Sequence, residues 1–278
     1  VPLTSSDYEY VMQTALQNIE RFQSQCENSR YGLINVVIGV HGLVTLDEHV
    51  HFVPRLGWSD VSLKEDLERA TNLPIMLENN ANLCSFAERV YEHHEAKNLL
   101  GTSLSSGIGL GIMMDESFFK GENGFAGEAG HMVIVPNGKA CSCGNKGCWE
   151  QYSSESAFFR ELAAKKGKKK VSYQDVQEWL QKKDEAVISM MDELLFYLSI
   201  GLNNMINLYN PNVIVLNSEL LCLYPEAVQR IEDQLVSDVS HYQHLYVSKL
   251  GKQACSLGAC ALGIKQFFQI PNIQLSIE

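Results

Sequence analysis

The sequence has little positive charge. It holds 22 Lys and Arg residues against 33 Asp and Glu residues, which gives a formal net charge of −11 at pH 7 over 278 residues. Nucleic-acid binding draws most of its affinity from Lys and Arg side chains that neutralise phosphates, so the chain itself is a poor DNA binder. A short lysine-rich stretch at 165–170 is better explained as a solvated turn between helices than as a phosphate-binding patch.

The sequence also lacks an apolar run of the roughly 20 residues that a bilayer span needs. The most apolar long stretch, 194–216, is interrupted by asparagines. No basic start followed by an apolar segment and a cleavage site is present. We therefore expect a cytoplasmic protein without a membrane partner. Because the first residue is Val1 and not Met, we also expect a fragment of a longer protein.

Eight cysteines are present, and three of them are crowded into one short segment. Cysteines so close in sequence seldom pair with each other, and metal binding is the commoner use of such a cluster in a protein of this size. A reducing compartment follows from this pattern. The isolated cysteines are expected to be small, buried and inert: Cys26, Cys84, Cys222, Cys255 and Cys260.

Hydrophobic periodicity alternates between helices and strands. Apolar residues at three- and four-residue spacing predict helices at 7–26, 63–70, 81–91, 153–164, 173–180, 184–209 and 257–268. Short apolar runs predict strands at 33–40, 74–78 and 213–216, the first two buried on both faces, and a strand and turn at 99–114. The glycine- and cysteine-rich segment 121–152 is predicted to be a structured loop. This order of elements indicates an α/β fold.

One imidazole and three thiols in this loop are supplied by His131, Cys141, Cys143 and Cys148. That number closes a tetrahedral zinc shell and leaves no position for water, so the site would be structural and not hydrolytic. Glycines between the ligands let the backbone wrap around an ion. The alternative is a reduced surface loop whose cysteines are close by chance. The spacing favours structural zinc, which is the cofactor we predict.

The residues around this cluster form a longer motif. It runs from Gly127-Glu128-Ala129-Gly130-His131 to Cys141-Ser142-Cys143-Gly144-Asn145-Lys146-Gly147-Cys148-Trp149-Glu150, and it resembles the signature of the ROK family (repressors, open reading frames, sugar kinases). Three further segments are similar to family motifs: 39–44 to a glycine turn, 78–82 to the sugar and catalytic motif, and 106–111 to a second phosphate loop.

The resemblance implies an α/β fold with two lobes of the actin-like, ribonuclease-H-like type and a cleft between them. In this chain the fold would be truncated at its N-terminus. We expect a partial small lobe at 1–97, with 264–278 packing back on it. A large lobe at 98–263 would carry the zinc loop and a dimer surface.

The resemblance also implies a sugar site. A sugar needs side chains that donate and accept hydrogen bonds, together with carboxylates that accept from hydroxyls. By similarity to the family, the sugar-binding residues are Asn79, Asn80, Glu128, His131 and Glu150. His131 would serve twice, with one ring nitrogen on zinc and the other toward a hydroxyl. The alternative for the two glutamates is an ordinary solvated or helix-capping role.

The sequence departs from the family's kinases in several places. Those kinases need an aspartate where this chain has Asn80, and loss of a general base costs about 10² to 10⁴ in rate. The segment 217–219 replaces a glycine pair beside the nucleotide, and the first phosphate loop is missing from the chain. The phosphate-loop-like glycines Gly107, Gly109 and Gly111 are equally well explained by sheet geometry and close packing. We therefore predict no catalytic residue and no enzyme activity.

A sugar site without the groups for phosphoryl transfer is most similar to the family's transcriptional repressors, and among them to those that respond to xylose. We predict the sugar-binding effector module of such a repressor, with a monosaccharide such as xylose as ligand and a homodimer as assembly. DNA contact would come only from a helix-turn-helix domain upstream of Val1. Two other functions stay open: an ATP-dependent sugar kinase altered at Asn80, and a zinc-stabilised interaction module that binds no sugar.

Overall fold

The computed structural model describes residues 3–277. Contacts divide the chain into two compact units. The first consists of Val1–His94, Phe119–Ala126 and Gln253–Glu278, and the second of Glu95–Phe118 and Gly127–Lys252. Within the described part of the chain, no helix combines the length and the apolar character that a membrane span requires.

Helices and strands alternate through most of the described residues. In chain order they are α1 (Tyr8–Cys26), β1 (Val36–Val40), β2 (Leu43–Val44), β3 (Val50–Val53), β4 (Trp58–Val61), α2 (Leu63–Thr71), β5 (Ile75–Asn79), α3 (Asn80–Tyr91), β6 (Leu99–Ser103), β7 (Gly109–Met114), β8 (Ser117–Phe118), α4 (Glu150–Ser153), α5 (Glu155–Lys165), α6 (Tyr173–Gln181), α7 (Glu185–Tyr209), β9 (Val213–Asn217), α8 (Glu219–Cys222), α9 (Ala227–Glu232), β10 (His244–Val247) and α10 (Ala254–Phe268).

The first unit contains two small sheets. Strands β1 and β5 pair in parallel, with Val40 opposite Asn79, and strands β2, β3 and β4 form an antiparallel sheet. The prediction that β1 is buried on both faces was wrong, because only Val40 of that strand is fully buried. Within residues 3–277 the β1–β5 sheet has just these two strands, and β5 is the more deeply buried of the two. The parallel pairing brings the carboxyl ends of both strands to the same edge, where Asn79 ends β5 and Asn80 begins α3.

Helix α1 confirms the amphipathic pattern predicted at 7–26. Its N-cap is Asp7, whose carboxylate accepts a hydrogen bond from the Tyr10 backbone N–H at 3.0 Å. Met12 and Ile19 on its inner face are buried in the same core as Trp58. This packing ties the start of the chain to the antiparallel sheet.

Helices α3 and α10 approach each other closely because α10 carries small residues. A Cβ atom added at Gly258 would lie 1.9 Å from the Leu83 carbonyl oxygen, so only glycine permits this approach. The small residues of α10 thus permit its close packing against α3. Helix α10 thereby supports α3, the helix that begins at Asn80.

The second unit is built on a five-stranded mixed sheet in the order β10-β9-β6-β7-β8. Strand β6 pairs antiparallel with β7 and parallel with β9, and β9 pairs parallel with β10. Its central strands are buried, with Leu100 and Val215 each 1% exposed. The strand predicted at 213–216 and the strand and turn predicted at 99–114 are confirmed. Strand β10 and the short helices α8 and α9 were not predicted.

Helix α7 spans nearly the predicted range 184–209. The Asp184 carboxylate caps its start by accepting hydrogen bonds from the backbone N–H groups of Ala186 at 3.1 Å and Val187 at 3.2 Å. It ends at Asn210, which has a left-handed conformation with φ of 42°.

A buried tryptophan joins α7 to the cysteine-rich segment. Trp149 is 0% exposed, and its Nε1 donates a hydrogen bond to the Tyr197 carbonyl oxygen at 2.9 Å. A Cβ atom at Gly201 would lie 2.0 Å from the indole ring. A glycine in the middle of a helix is unfavourable by itself, and here it makes room for the ring.

The lysine-rich stretch lies in the turn between α5 and α6, as predicted. Lys166 forms an ion pair with Asp184 at 2.5 Å, and Lys168 forms one with Asp175 at 2.6 Å. Both ammonium groups also lie within 5 Å of the Trp179 ring centre, at 4.9 and 4.8 Å. Intramolecular partners therefore account for these two lysines.

The expectation that all isolated cysteines are buried was wrong. Cys222 and Cys260 are exposed, Cys26 and Cys255 are partly exposed, and only Cys84 of this set is buried. On α10 the residues Gly258 and Ala261 face the core, so Cys260 lies on the outer side of the helix.

Candidate functional site

The segment 121–152 is ordered mainly by backbone hydrogen bonds, as expected for a structured loop. A β-bridge joins Ala140 to Lys146. Gly147 has a φ of 87°, and a Cβ atom there would lie 1.8 Å from the Val135 carbonyl oxygen. The loop also contains a 3-10 turn at Ala129–His131 and ends in helix α4. Glycine therefore allows the tight fold that brings distant loop residues together.

The four predicted metal ligands lie together. His131 Nδ1 is 3.6 Å from Cys141 Sγ, and the Sγ atoms of Cys143 and Cys148 are 3.6 Å apart. All four donor atoms lie within 4.8 Å of one another. In a tetrahedral zinc site with bonds of about 2.0 to 2.3 Å, neighbouring ligand atoms are roughly 3.5 to 3.8 Å apart. The donor set and its spacing fit zinc, so the cluster could hold this metal.

The surroundings of the three thiols shift their pKa values in different directions. Burial raises the pKa of Cys148 to about 12 and also raises the pKa of Cys141. A backbone hydrogen bond from Asn145 lowers the pKa of Cys143. Cys141 and Cys148 would therefore stay protonated at neutral pH without a cation. Because metal-bound thiols are deprotonated, metal uptake here is expected to release protons.

The structure brings three of the predicted sugar ligands together beside this cluster. His131 Nε2 lies 3.8 Å from Glu128 Oε2, and His131 Nδ1 lies 3.9 Å from Glu150 Oε1. Glu150 Oε1 also accepts hydrogen bonds from Cys141 Sγ at 3.3 Å and from Gln151 Nε2 at 3.2 Å. The Nδ1 edge of the imidazole therefore faces the thiols, and the Nε2 edge faces Glu128.

The two carboxylates differ in their exposure. The Glu128 side chain is 48% exposed, whereas that of Glu150 is 16% exposed. Partial burial raises the pKa of Glu128; the nearby His131 imidazole opposes this effect and the Glu150 carboxylate adds to it. Glu128 can therefore reach a ligand in solvent, and Glu150 is held more firmly against the loop.

The phosphate-loop-like glycines have separate structural roles. Gly109 and Gly111 lie inside strand β7, opposite Ser103 and Gly101 of β6. Gly107 lies in the turn before β7, and a Cβ atom there would be 2.5 Å from Glu150 Oε2. The turn thus faces a carboxylate, which would repel a phosphate group.

The predicted sugar ligands of the first unit lie at the start of helix α3. Asn79 is its N-cap: Oδ1 accepts a hydrogen bond from the Ala81 backbone N–H at 2.8 Å, and Nδ2 donates to the Gly42 carbonyl oxygen at 2.9 Å. Asn80 is the first helical residue, and within residues 3–277 its side chain has no hydrogen bond. Asn79 is thus fixed by the fold, whereas the Asn80 amide is free for a ligand.

The segment after β9, which departs from the kinase pattern, is held by side chains. Ser218 Oγ donates a hydrogen bond to Glu155 Oε1 at 2.6 Å, and the Leu220 backbone N–H donates to the same oxygen at 2.8 Å. Glu155 is 5% exposed. Asn217 Nδ2 donates to the Gly251 carbonyl oxygen at 3.0 Å. A buried carboxylate and two polar side chains therefore occupy this strand end.

Sequence reasoning missed an ion pair next to Asn79. Glu78 is 4% exposed, and its Oε2 lies 2.6 Å from Lys120 Nζ. A charged residue at the end of an apolar strand was the available signal for Glu78. No pattern in the sequence indicated Lys120 as its partner, because the two residues are far apart in the chain.

Comparison with known proteins finds relatives along nearly the whole chain. The model of the ROK family matches residues 4–266. A xylose repressor of Bacillus spizizenii is 35% identical over 275 residues, which cover 96% of this chain and 71% of that protein. A glucokinase of Halalkalibacterium halodurans is 28% identical over 263 residues, which cover 88% of this chain and 77% of that protein.

A solved structure of a ROK family transcriptional regulator, a homologue of the E. coli MLC protein, is also similar. Its sequence is 27% identical and its TM-score is 0.81, covering 96% of this chain and 71% of that chain. The predicted α/β architecture of the two-lobed actin-like type is thereby confirmed. Repressors and sugar kinases both occur among the relatives, and the chain belongs to the ROK family.

Proposed function

We propose that this chain is the sugar-binding effector module of a ROK transcriptional repressor. The observation that carries the proposal is Asn80, an amide in place of a carboxylate at the start of helix α3. Similarity to xylose repressors supports the same function and makes D-xylose the first ligand to test.

In the second unit, the proposed sugar ligands are Glu128, His131 and Glu150. Their carboxylates accept hydrogen bonds from sugar hydroxyls, and a neutral imidazole can donate one from the ring nitrogen that the metal does not use. Since His131 Nδ1 faces Cys141, its Nε2 is the nitrogen left for a ligand. Asn80 is a further proposed sugar ligand, because its side-chain amide can both donate and accept a hydrogen bond.

Zinc is the metal we propose for the thiol cluster, where it would supply fixed geometry and charge and no reaction chemistry. His131, Cys141, Cys143 and Cys148 would hold it. The same ligation would fix the ring of His131, so that Nε2 would stay directed at Glu128. Sugar affinity should therefore depend on an intact cluster.

Phosphoryl transfer is disfavoured by two features. An asparagine amide cannot accept the proton of an attacking hydroxyl, and loss of a positioned base costs about 10² to 10⁴ in rate. At the end of β9, Ser218 is hydrogen-bonded to the buried Glu155 carboxylate, whereas the resemblance to the family's kinases implies a glycine pair beside the nucleotide there. We therefore propose no catalytic residue in this chain.

A sugar kinase is the second candidate, because the similar glucokinase is 28% identical over 88% of this chain. A kinase would couple sugar binding to ATP consumption, and an effector module would not. Sugar-dependent ADP release therefore separates the two candidates. A module that binds no sugar is separated from both by calorimetry.

We also propose that DNA contact comes from a helix-turn-helix segment outside this chain and that the module forms a homodimer. The net charge of −11 supports a separate DNA-binding segment, because the chain itself would repel phosphates. Two-fold dimers are the commonest assembly and suit operators with two half-sites. Light scattering coupled to size exclusion tests the dimer directly.

Calorimetry of the metal-loaded protein with D-xylose, D-glucose and D-mannose tests the sugar site. We expect saturable binding of at least one of these sugars. Glu150→Gln should weaken it by about tenfold, since a hydrogen bond to a charged group contributes roughly 1.5 to 3 kcal/mol. The matched control is Glu178→Gln on α6, where the Glu178 side chain is 54% exposed. The sugar affinity of this control variant should be unchanged. Absence of binding by the unmodified chain to all three sugars would contradict the proposal.

A further inference from the structure

The carboxylate of Glu78 is buried at the end of strand β5, one residue before Asn79. Glu78 is 4% exposed, and both of its oxygens are used. Oε1 accepts hydrogen bonds from the Asn79 backbone N–H and from Asn82 Nδ2, each at 2.9 Å. Oε2 is paired with the Lys120 ammonium at 2.6 Å. One carboxylate therefore joins the strand end, the first turn of α3 and a lysine from a distant segment.

Lys120 is itself held in place by the loop that carries it. The Ala126 backbone N–H donates a hydrogen bond to the Lys120 carbonyl oxygen at 3.0 Å, which closes this loop. At Gly124, where φ is 91°, an added Cβ atom would lie 2.5 Å from the Val44 carbonyl oxygen. The loop thus packs on strand β2 of the same unit. The backbone from which the Lys120 side chain extends is therefore held in place.

Glu78 is hydrogen-bonded directly to the proposed sugar-binding turn at Asn79 and Asn80. The Asn79 N–H is fixed by Glu78, and the Asn79 side chain is fixed by Ala81 and Gly42. Together these bonds fix the orientation of the Asn79–Asn80 backbone. The free Asn80 amide follows that orientation, because its side chain has no bond of its own within residues 3–277.

We propose that Lys120 is a positioning residue for the Asn79–Asn80 turn and acts through Glu78. The inference rests on the proposed sugar site and adds a residue that does not touch the sugar. Without the ammonium, a buried carboxylate is left with an unbalanced charge. The Glu78 carboxylate then turns toward water, and this change alters the acceptor that holds the Asn79 N–H.

A purely structural ion pair is the competing explanation, and the two make different predictions. A structural pair would affect stability alone, and buried pairs are often no more stabilising than apolar residues of similar size. A positioning pair affects sugar affinity, and its effect depends on the charge of Glu78. Glu78→Gln keeps an oxygen acceptor for Asn79 and Asn82 but removes the charge that needs Lys120.

The test compares Lys120→Met, Lys120→Arg, Glu78→Gln and the double variant of Lys120→Met with Glu78→Gln. The matched control is Lys166→Met, which removes another lysine paired with a carboxylate at 2.5 Å in the second unit. D-xylose, D-glucose and D-mannose affinities are measured by calorimetry, and melting temperatures are recorded alongside. Hydrogen exchange of the Asn79 backbone N–H, measured without sugar, gives a readout that needs no ligand.

We expect Lys120→Met to weaken sugar binding by about tenfold and to speed exchange of the Asn79 amide, as changes in residues that orient a ligand group do. Lys120→Arg should restore most of the affinity, and Lys120→Met should have little further effect in the Glu78→Gln background. Lys166→Met should leave affinity and Asn79 exchange unchanged.

Unchanged affinity and unchanged Asn79 exchange in Lys120→Met would overturn the inference. So would a loss of affinity that Lys120→Arg does not restore, or one that is as large in the Glu78→Gln background. If the unmodified chain binds none of the sugars, the proposed function fails. Asn79 exchange in Lys120→Met then decides alone: faster exchange supports the role of Lys120, and unchanged exchange refutes it.

Discussion

The metal loop and the Asn79–Asn80 turn both present predicted sugar ligands, but they are held in different ways. In the metal loop, His131 and the three thiols come from one stretch of the chain and gather within 4.8 Å of one another. The Asn79–Asn80 turn is instead held by Gly42, Glu78 and, through Glu78, Lys120. One site is organised by local ligands and the other by contacts between distant segments.

This difference teaches where each site is vulnerable. A metal-organised loop depends on its ligands, so the loss of one donor should disturb the whole loop. A turn organised by several hydrogen bonds should lose function in smaller steps, because no single bond holds it alone. The predictions below test this contrast from the largest expected effect to the smallest.

Cys143→Ser should have the largest effect. We expect the unmodified protein to hold about one zinc ion per chain, and the variant to hold much less. Its melting temperature should fall by about 5 to 10 °C, which corresponds to roughly 2 to 3 kcal/mol for a domain of this size. Elemental analysis and thermal unfolding measure both effects. Cys222→Ser, which removes an exposed thiol outside the cluster, is the control and should change neither. If protein prepared without a chelator contained no metal, the proposed zinc site would be refuted.

Gly201→Ala should disturb the metal loop from outside. The Cβ atom of the new alanine would lie about 2.0 Å from the Trp149 ring, which is far closer than van der Waals contact. Overpacking of this kind typically costs about 1 to 3 kcal/mol. Because Trp149 follows Cys148, we expect lower metal retention under mild chelation as well. Asn204→Ala, an exposed position on the same helix, is the control. Equal stability and retention in both variants would show that the loop does not depend on α7.

Asn79→Ala and Asn80→Ala should separate fold from function within one turn. Asn79 caps α3, so its loss should cost about 0.5 to 2 kcal/mol of stability and also weaken sugar binding. Asn80 has no bond to the fold within the described residues, so its replacement should change stability by less than about 0.5 kcal/mol. Its loss should still weaken binding by about 1 to 3 kcal/mol. Chemical denaturation and calorimetry measure the two quantities, and equal behaviour of the variants would refute the distinction.

The sequence predicted those features that depend on neighbours in the chain. Periodicity identified α1, α7 and α10, and the spacing of His131 and the cysteines identified the metal cluster. The resemblance to the ROK family implied that Asn79 is a sugar ligand, but it could not show that Gly42 and Ala81 occupy the Asn79 side chain. Periodicity carries no information on which distant groups meet after folding.

Burial was the other quantity that the sequence could not supply. An apolar run predicted β1 to be buried on both faces, although most of this strand is half-buried. The isolated cysteines Cys222 and Cys260 were expected inside because free cysteine is usually buried, yet they are exposed. Both errors came from average residue behaviour, and the arrangement of neighbouring elements decided the outcome.

The central claim is that this ROK chain binds a sugar and does not phosphorylate it. The most direct test measures sugar binding and sugar-dependent ADP release on the same metal-loaded protein, for the unmodified chain and for Asn80→Asp. We predict saturable binding of a monosaccharide, with D-xylose first. ADP release with ATP present should not exceed the rate without sugar in either protein, because phosphoryl transfer depends chiefly on positioning and one restored carboxylate does not rebuild it. Robust sugar-dependent ADP release by the unmodified chain would contradict the claim and identify a kinase.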